Sequence, residues 1–160
     1  MPIKERRFVV IGTEPMREHH YRPDWALVTG GAGFIGSHLS TSLLAGGAKV
    51  RVLDDLSSGH RGNLAEGAEF VEASILDEGK VREAMAGCEA VVHLAAEVSV
   101  PRTWEDPERV FRIAGELGVR SMVFASSAAV YGPTPSLPSK EGDRFDCASP
   151  YAAQKASGEL

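Results

Sequence analysis

The 160 residues carry 17 basic and 22 acidic side chains, a formal net charge of −5. This balance leaves no basic stripe for a phosphate backbone, so we expect no nucleic-acid partner. Apolar runs such as 90–96 are too short to span a bilayer, and the N-terminus lacks the apolar run of a signal peptide. We therefore expect no membrane association and a cytoplasmic protein. Cys88 and Cys147 are isolated in the sequence, which predicts reduced thiols.

Residues 1–24 do not share the pattern of the rest of the chain. The run FVVIG at 8–12 has the composition of a strand, but prolines and histidines interrupt the residues after it. We expect a loosely held N-terminal extension. The neighbouring His19 and His20 have no cysteine or carboxylate cluster to complete a ligand set, so we predict no metal site.

From Trp25 onward, short β-branched runs alternate with helical patterns. Apolar runs joined by helices are typical of the parallel sheet of an α/β protein. The sequence predicts a doubly wound, Rossmann-type parallel sheet flanked by helices, over residues 25–160. The predicted strands lie at 25–29, 49–54, 69–72, 90–95 and 121–126, and the predicted helices at 34–45, 77–86, 107–117 and from Ser149 onward.

A glycine-rich turn comes after the first of these strands, from Gly30 to Gly36. It matches GxGxxG from Gly31 and GxxGxxG from Gly30. Glycines let the backbone approach a pyrophosphate closely, and the helix after the turn directs unpaired N–H groups at it. Because a strand precedes the turn and a helix comes after it, the pattern predicts dinucleotide binding rather than an ordinary loop.

Asp54 ends the second strand at the position that selects the cofactor in such folds. A carboxylate there accepts the hydroxyls of the adenosine ribose and repels a 2′-phosphate, which favours NAD over NADP. The nearby Arg51 and Arg61 leave an NADP-dependent reductase open as an alternative.

Tyr151 and Lys155 are four residues apart, and so one turn apart on the same face of the last predicted helix. A nearby ammonium favours the phenolate form of a tyrosine, which suits proton transfer. Ser149 as N-cap and Pro150 place Tyr151 in the first helical turn. Ser127 comes after the fifth strand of the alternation, where its hydroxyl is able to bind a substrate or to satisfy a local turn.

Five segments in this order resemble one family: VTGGAGFIGSHL at 28–39, LDDLSSG at 53–59, HLAA at 93–96, SSAAVYG at 126–132 and SPYAAQK at 149–155. Together they are similar to extended short-chain dehydrogenases/reductases, in particular the NAD-dependent epimerase/dehydratase family. The resemblance runs from Trp25 to the end of the chain.

The resemblance implies a role for each matching residue. Tyr151 would be the base, Lys155 would hold the nicotinamide ribose, and Ser127 would position a sugar hydroxyl. The implied cofactor contacts are Gly30, Gly33, Phe34, Ile35 and Gly36 at the pyrophosphate, Asp54 and Asp55 at the adenosine ribose, Ile75 at the adenine, and Leu94, Ala95 and Ala96 at the nicotinamide half. Ser74 stands where relatives usually have an aspartate, which predicts a weaker adenine contact.

The chain also departs from the family pattern. An Asn-x-x-Gly-Thr motif is missing between Pro107 and Gly118, and the sequence ends five residues after Lys155, before a substrate domain. The resemblance implies a UDP-glucose 4-epimerase type of enzyme that acts on a nucleotide sugar, with a homodimer left open. The departures keep a catalytically silent dinucleotide-binding module as an equal alternative.

Overall fold

A computed structural model describes residues 7–8, 22–96, 106–133, 137–140 and 142–160 of the chain. Helices and strands alternate along these residues, as the apolar periodicity predicts. The strands are β1 (Arg7–Phe8), β2 (Trp25–Thr29), β3 (Lys49–Asp54), β4 (Glu69–Glu72), β5 (Ala90–His93) and β6 (Ser121–Phe124), and the helices are α1 (Phe34–Ala45), α2 (Glu78–Met85), α3 (Asp106–Glu116) and α4 (Pro150–Glu159).

All six described strands form one sheet in the order β1-β6-β5-β2-β3-β4. Every neighbouring pair is parallel. The five strands from β2 to β6 have the order of a Rossmann-type sheet, in which the chain winds outward in both directions from the central strand. The predicted α/β class and parallel sheet are confirmed.

The core has one layer on each face of the sheet. On one face, Val28, Val50 and Val52 pack against the leucines of α1. On the other face, a larger cluster joins the strands to α2 and α3, with Leu27 and Ile113 fully buried in it. Burial of both faces explains why the central strands are apolar at almost every position.

Most predicted element bounds agree with the structure to within one residue. Asp77 lies just outside α2, where its side chain caps the helix by accepting from the Lys80 N–H. The larger differences are at β5 and β6, which end at His93 and Phe124 rather than two residues later. After β5 the Ala95 N–H donates to the side chain of Thr29 instead of to a strand carbonyl. The chain therefore leaves the sheet earlier than its composition indicates.

The N-terminal segment contributes strand β1 at the edge of the sheet, beside β6. The run FVVIG at 8–12, which has the composition of a strand but was expected to be part of a loosely held extension, shares only Phe8 with β1. Residues 1–6 and 9–21, which include the rest of that run and the His19-His20 pair, lie outside the described residues, so the expected extension is described only at 7–8 and 22–24. Within the described residues, no helix is both long and apolar enough to cross a membrane.

Candidate functional site

Two chain segments meet at the carboxyl end of the sheet, between β2 and β5. These strands are neighbours, and β3 lies beyond β2 while β6 lies beyond β5 on the other side. The order of the strands therefore reverses between them, and ligands of open parallel sheets bind in the crevice at such a point. The turn 30–36 comes after β2, and the segment 94–96 comes after β5.

Glycine is required at two positions of the turn. Gly30 has φ +70°, and a Cβ there would lie 2.8 Å from the Ala95 nitrogen. A Cβ at Gly36 would lie 2.2 Å from the Gly30 carbonyl oxygen. The turn is therefore closed tightly between segment 94–96 and the first turn of α1, as the glycine pattern predicts.

Helix α1 begins at this turn without a side-chain cap. Its N-cap is Gly33, and the first turn has no acidic residue. The first amides of a helix have no partner within the helix, and the helix dipole adds a partial positive charge there. Phe34 and Ile35 expose 79% and 66% of their surface at this end of the helix. The donor set fits a pyrophosphate, the group that the glycine pattern predicts here.

Asp54 lies beside the turn and is 8% exposed. One carboxylate oxygen accepts from the Ala32 N–H at 3.0 Å, and the other accepts from the Leu56 N–H at 2.8 Å. Asp54 therefore joins the glycine-rich turn to the loop after β3. Asp55 is exposed, and its carboxylate accepts from the Ser57 N–H at 2.9 Å.

The chain segments after β2, β3, β4 and β5 line an open cleft at the carboxyl end of the sheet. Leu94 does not line the cleft but packs toward Val28, Val50 and Val52 in the core. The lining contains six residues predicted as cofactor contacts (Gly30, Asp54, Asp55, Ile75, Ala95 and Ala96), Ser74, and four that were not predicted as contacts (Leu53, Ser57, Ser58 and Ala73).

Arg51 and Arg61, the two arginines that left an NADP-dependent reductase open as an alternative, have other partners in the structure. Arg51 pairs with Glu69, and it also donates to the carbonyl oxygens of Ala84 and Ala86 at the end of α2. Arg61 pairs with Glu72, and its guanidinium lies 5.2 Å from the centre of the Phe70 ring. No lysine or arginine is among the described residues that line the cleft. A 2′-phosphate would therefore meet the carboxylates of the cleft without a cation to offset them.

Helix α4 carries Tyr151 and Lys155 as predicted. Ser149 caps the helix by accepting from the Ala152 N–H at 3.1 Å. The Lys155 Nζ atom lies 5.8 Å from the centre of the Tyr151 ring and donates to the Ala125 carbonyl oxygen at 2.7 Å. Burial of the ammonium lowers the pKa of Lys155 below its usual value. The Tyr151 side chain is exposed, so it is accessible to a ligand.

Ser127 occupies the N-cap of a short 3₁₀ turn, Ala128–Tyr131. Its Oγ accepts from the Ala129 N–H at 3.2 Å, which is the local role that a turn serine commonly has. The hydroxyl proton remains available for donation. Among the described residues, the structure shows no hydrogen bond between Ser127 and Tyr151.

Two sets of contacts that support the cleft were missed from the sequence. The Ala32 carbonyl oxygen accepts from the His60 N–H and from the Asn63 side chain, which fixes the middle of the glycine-rich turn. Thr29 and His93 hydrogen-bond to each other inside the core. In the sequence, each of them is a polar residue at the end of an apolar strand, and this pattern was the signal that could have indicated the pair. Within the described residues, no group of three or more histidines, cysteines or carboxylates is arranged to hold a metal ion.

Comparison with known proteins agrees with this geometry. Residues 26–160 match the model of the NAD dependent epimerase/dehydratase family. The chain is 44% identical over 154 residues to a UDP-glucose 4-epimerase of Mycolicibacterium smegmatis, covering 84% of this chain and 49% of that protein. It is 37% identical to a putative UDP-glucose 4-epimerase of Methanocaldococcus jannaschii, covering 83% of this chain and 48% of the relative.

Two solved structures have the same fold over most of this chain. The UDP-glucose 4-epimerase of Thermus thermophilus, in complex with NAD, superposes with a TM-score of 0.74 at 37% identity, covering 84% of this chain and 48% of the other. The UDP-N-acetylglucosamine 4-epimerase of Methanobrevibacter ruminantium superposes with a TM-score of 0.78 at 36% identity. This match covers 87% of this chain and 49% of the other. The chain thus spans about half the length of these relatives. With its cleft, its glycine-rich turn and its Tyr151-Lys155 helix, the chain belongs to the NAD-dependent epimerase/dehydratase family.

Proposed function

We propose that this chain binds NAD at the carboxyl end of its sheet and carries the proton-transfer residues of a nucleotide-sugar epimerase. The observation that carries the proposal is the cleft lined by Gly30, Asp54 and Asp55, together with the uncapped N-terminus of α1 that comes after Gly30 in the same turn. Helix N-termini bind phosphate groups, and carboxylates accept ribose hydroxyls.

Each part of the cleft has a role in this proposal. The amides of Phe34, Ile35 and Gly36 hold the pyrophosphate, with the side chains of Phe34 and Ile35 on its solvent side, and Gly33 lines it through its backbone. Asp54 and Asp55 accept the hydroxyls of the adenosine ribose. Ile75 packs on the adenine side, and the segment 94–96 borders the nicotinamide half.

The proposed chemistry is proton transfer coupled to hydride transfer. NAD supplies a hydride acceptor when it is bound. Tyr151 removes the proton of a sugar hydroxyl through its phenolate oxygen, and the Lys155 ammonium stabilises the negative charge of that oxygen. Ser127 donates its free hydroxyl proton to the sugar oxygen. The substrate class is a nucleotide sugar, because the similar enzymes described above are UDP-sugar epimerases.

A catalytically silent dinucleotide-binding module is the second candidate. It is supported by the contacts of the Tyr151 region, in which Lys155 donates to Ala125 and Ser127 accepts from Ala129. Each of these groups thus already has one hydrogen-bond partner within the protein. The two candidates share the cofactor site and differ in turnover.

Calorimetric titration of the purified chain with NAD and NADP tests the cofactor site. We expect NAD to bind at least about 10-fold more tightly, because a 2′-phosphate would be desolvated next to Asp54 without a cation. Equal or tighter binding of NADP would contradict the assignment of the cleft.

Conversion of UDP-glucose to UDP-galactose separates the two candidates. The assay compares the chain with Tyr151→Phe at saturating NAD. Turnover that the phenylalanine variant loses supports the epimerase. NAD binding of equal strength in both proteins, without turnover in either, supports the binding module.

A further inference from the structure

Two polar side chains face each other in the core at the ends of the central strands. Thr29 is the last residue of β2, His93 is the last residue of β5, and the two are paired in register. They are 0% and 1% exposed. The Thr29 Oγ1 atom lies 2.7 Å from the His93 Nδ1 atom.

The hydroxyl of Thr29 has a second partner in the wall of the cleft. The Ala95 N–H donates to the Thr29 Oγ1 atom at 3.2 Å. Because the hydroxyl accepts this bond, its own proton is free to donate to Nδ1 of His93, which then carries its proton on Nε2. Burial lowers the pKa of His93 to about 3, with a further contribution from the Lys155 charge, so the ring is neutral.

The Ala95 backbone has little freedom to move. The Cβ that Gly30 lacks would lie 2.8 Å from the Ala95 nitrogen, so the two segments are in close contact. Ala95 and Ala96 line the cleft, and so does Gly30; we call the Ala95–Ala96 side the wall of the cleft. Without the Thr29 hydroxyl, the Ala95 amide would have to turn toward water, and this wall would turn with it.

We propose that Thr29 and His93 are positioning residues for the cofactor cleft: His93 orients the Thr29 hydroxyl, which holds the Ala95 amide, and with it the wall formed by Ala95 and Ala96, against Gly30. The inference rests on the proposed NAD site for its effect on binding. It does not require either side chain to touch the cofactor.

The test uses a matched pair of variants at Thr29. Thr29→Val keeps the shape and removes the hydroxyl, whereas Thr29→Ser keeps the hydroxyl and removes a methyl group. We expect Thr29→Val to weaken NAD binding by about 10-fold or more, because the Ala95 N–H loses its acceptor and no longer holds the wall of the cleft in place. Thr29→Ser should bind within about 3-fold of the wild type.

A purely structural role predicts a different result. Both variants would then lower the free energy of unfolding, while the folded fraction, titrated at low temperature, would bind NAD as the wild type does. The proposal would be overturned if Thr29→Val bound NAD as tightly as the wild type does. It would also be overturned if Thr29→Val and Thr29→Ser weakened NAD binding equally.

Amide exchange decides the proposal even if the wild type binds no NAD, a result that would count against the proposed function alone. The Ala95 N–H should exchange with deuterium about 10-fold faster or more in ligand-free Thr29→Val than in Thr29→Ser. His93→Asn, whose side-chain oxygen is able to accept near the Nδ1 position, should restore slow exchange that His93→Phe loses. Exchange at the same rate in all four variants would refute the positioning role.

Discussion

Asp54 illustrates how one residue can serve both the fold and the proposed cofactor site. Both of its oxygens accept backbone N–H groups, one from the glycine-rich turn and one from the loop after β3. A carboxylate has further lone pairs, so these bonds leave room for ribose hydroxyls. The acidic residue at the end of β3 is therefore a structural bridge before any ligand binds. The sequence predicted its position but had no signal for this bridge.

His93 should give the protein a specific sensitivity to acid. Its pKa falls from 6.5 to about 3 on folding because the ring is buried. The unfolded chain therefore takes up this proton near pH 6.5 and the folded chain only near pH 3, so stability is lost as the pH falls through this window. Between pH 7 and 5.5 the loss from this group is about 1.3 kcal/mol.

The measurement is the free energy of urea unfolding at both pH values, with His93→Asn as control. The asparagine variant should lose about 1.3 kcal/mol less than the wild type over this interval, whatever its stability at pH 7. Parallel losses in the two proteins would mean that the imidazole is protonated in the folded state.

At the scale of elements, α4 docks on the sheet through a glycine. A Cβ at Gly158 would lie 2.5 Å from the Phe124 ring, which also contacts His93 and Phe111. We expect Gly158→Ala to destabilise the protein and to displace α4, although alanine favours a helix by about 1 kcal/mol over glycine.

Gly79→Ala in α2 is the matched control for this helical glycine. A Cβ at Gly79 would make only an ordinary contact, 3.4 Å from a carboxylate oxygen of Asp77. This variant should gain about 0.5–1 kcal/mol in urea unfolding. A similar gain in Gly158→Ala would show that α4 docks more loosely than the structure indicates.

Four charged side chains on α2 and α3 form a closed ring of ion pairs. Arg82 and Arg112 each pair with both Glu78 and Glu116. Hydrogen bonds from the two arginines lower the pKa of both carboxyl groups in the folded state. The ring therefore contributes stability above the usual glutamate range and loses it as the pH falls below about 4.5.

Removal of one carboxylate should have a small effect that depends on salt. The ring is exposed to solvent, so its pairs are screened. We expect Glu116→Gln to lower the melting temperature at low salt and to match the wild type at about 1 M salt, where the Debye length is about 3 Å. A decrease that persists at this high salt concentration would point to packing rather than charge.

The elements were predictable from the sequence because the central strands are buried on both faces and the helices have clear boundaries. Strand β1 was not, since a two-residue edge strand has no periodicity of its own. The early ends of β5 and β6 were also missed. At β5, the Ala95 N–H donates to the Thr29 side chain, so the strand ends before it. A contact between residues 66 positions apart cannot be predicted from the local composition.

For the whole molecule, the topology explains why the candidate site could be predicted in part. The Gly30–Gly36 turn and Asp54 each lie at the carboxyl end of a strand, so a parallel sheet brings them to one edge. Residues that support them from a distance, such as Asn63 and His93, depend on the packing of separate segments. Leu94, which the resemblance assigns to the cofactor, is partly buried against the valines on the α1 face of the sheet, and its contact with the cofactor stays a prediction.

Cofactor binding should stabilise the whole domain, because the cleft exists only when β2, β3 and β5 are assembled. A ligand that binds only the folded state adds RT ln(1 + [L]/Kd) to the free energy of unfolding, about 2.7 kcal/mol at 100 times Kd. For a chain of this size that corresponds to a rise in melting temperature of roughly 5–10 °C. NADP at the same concentration should give a smaller rise, since its 2′-phosphate meets Asp54.

Gly36→Ala, whose Cβ would lie 2.2 Å from the Gly30 oxygen, should lower the melting temperature and remove the response to NAD. The measurement is thermal unfolding over a series of NAD concentrations, and a wild-type melting temperature independent of NAD would contradict a preformed cofactor site.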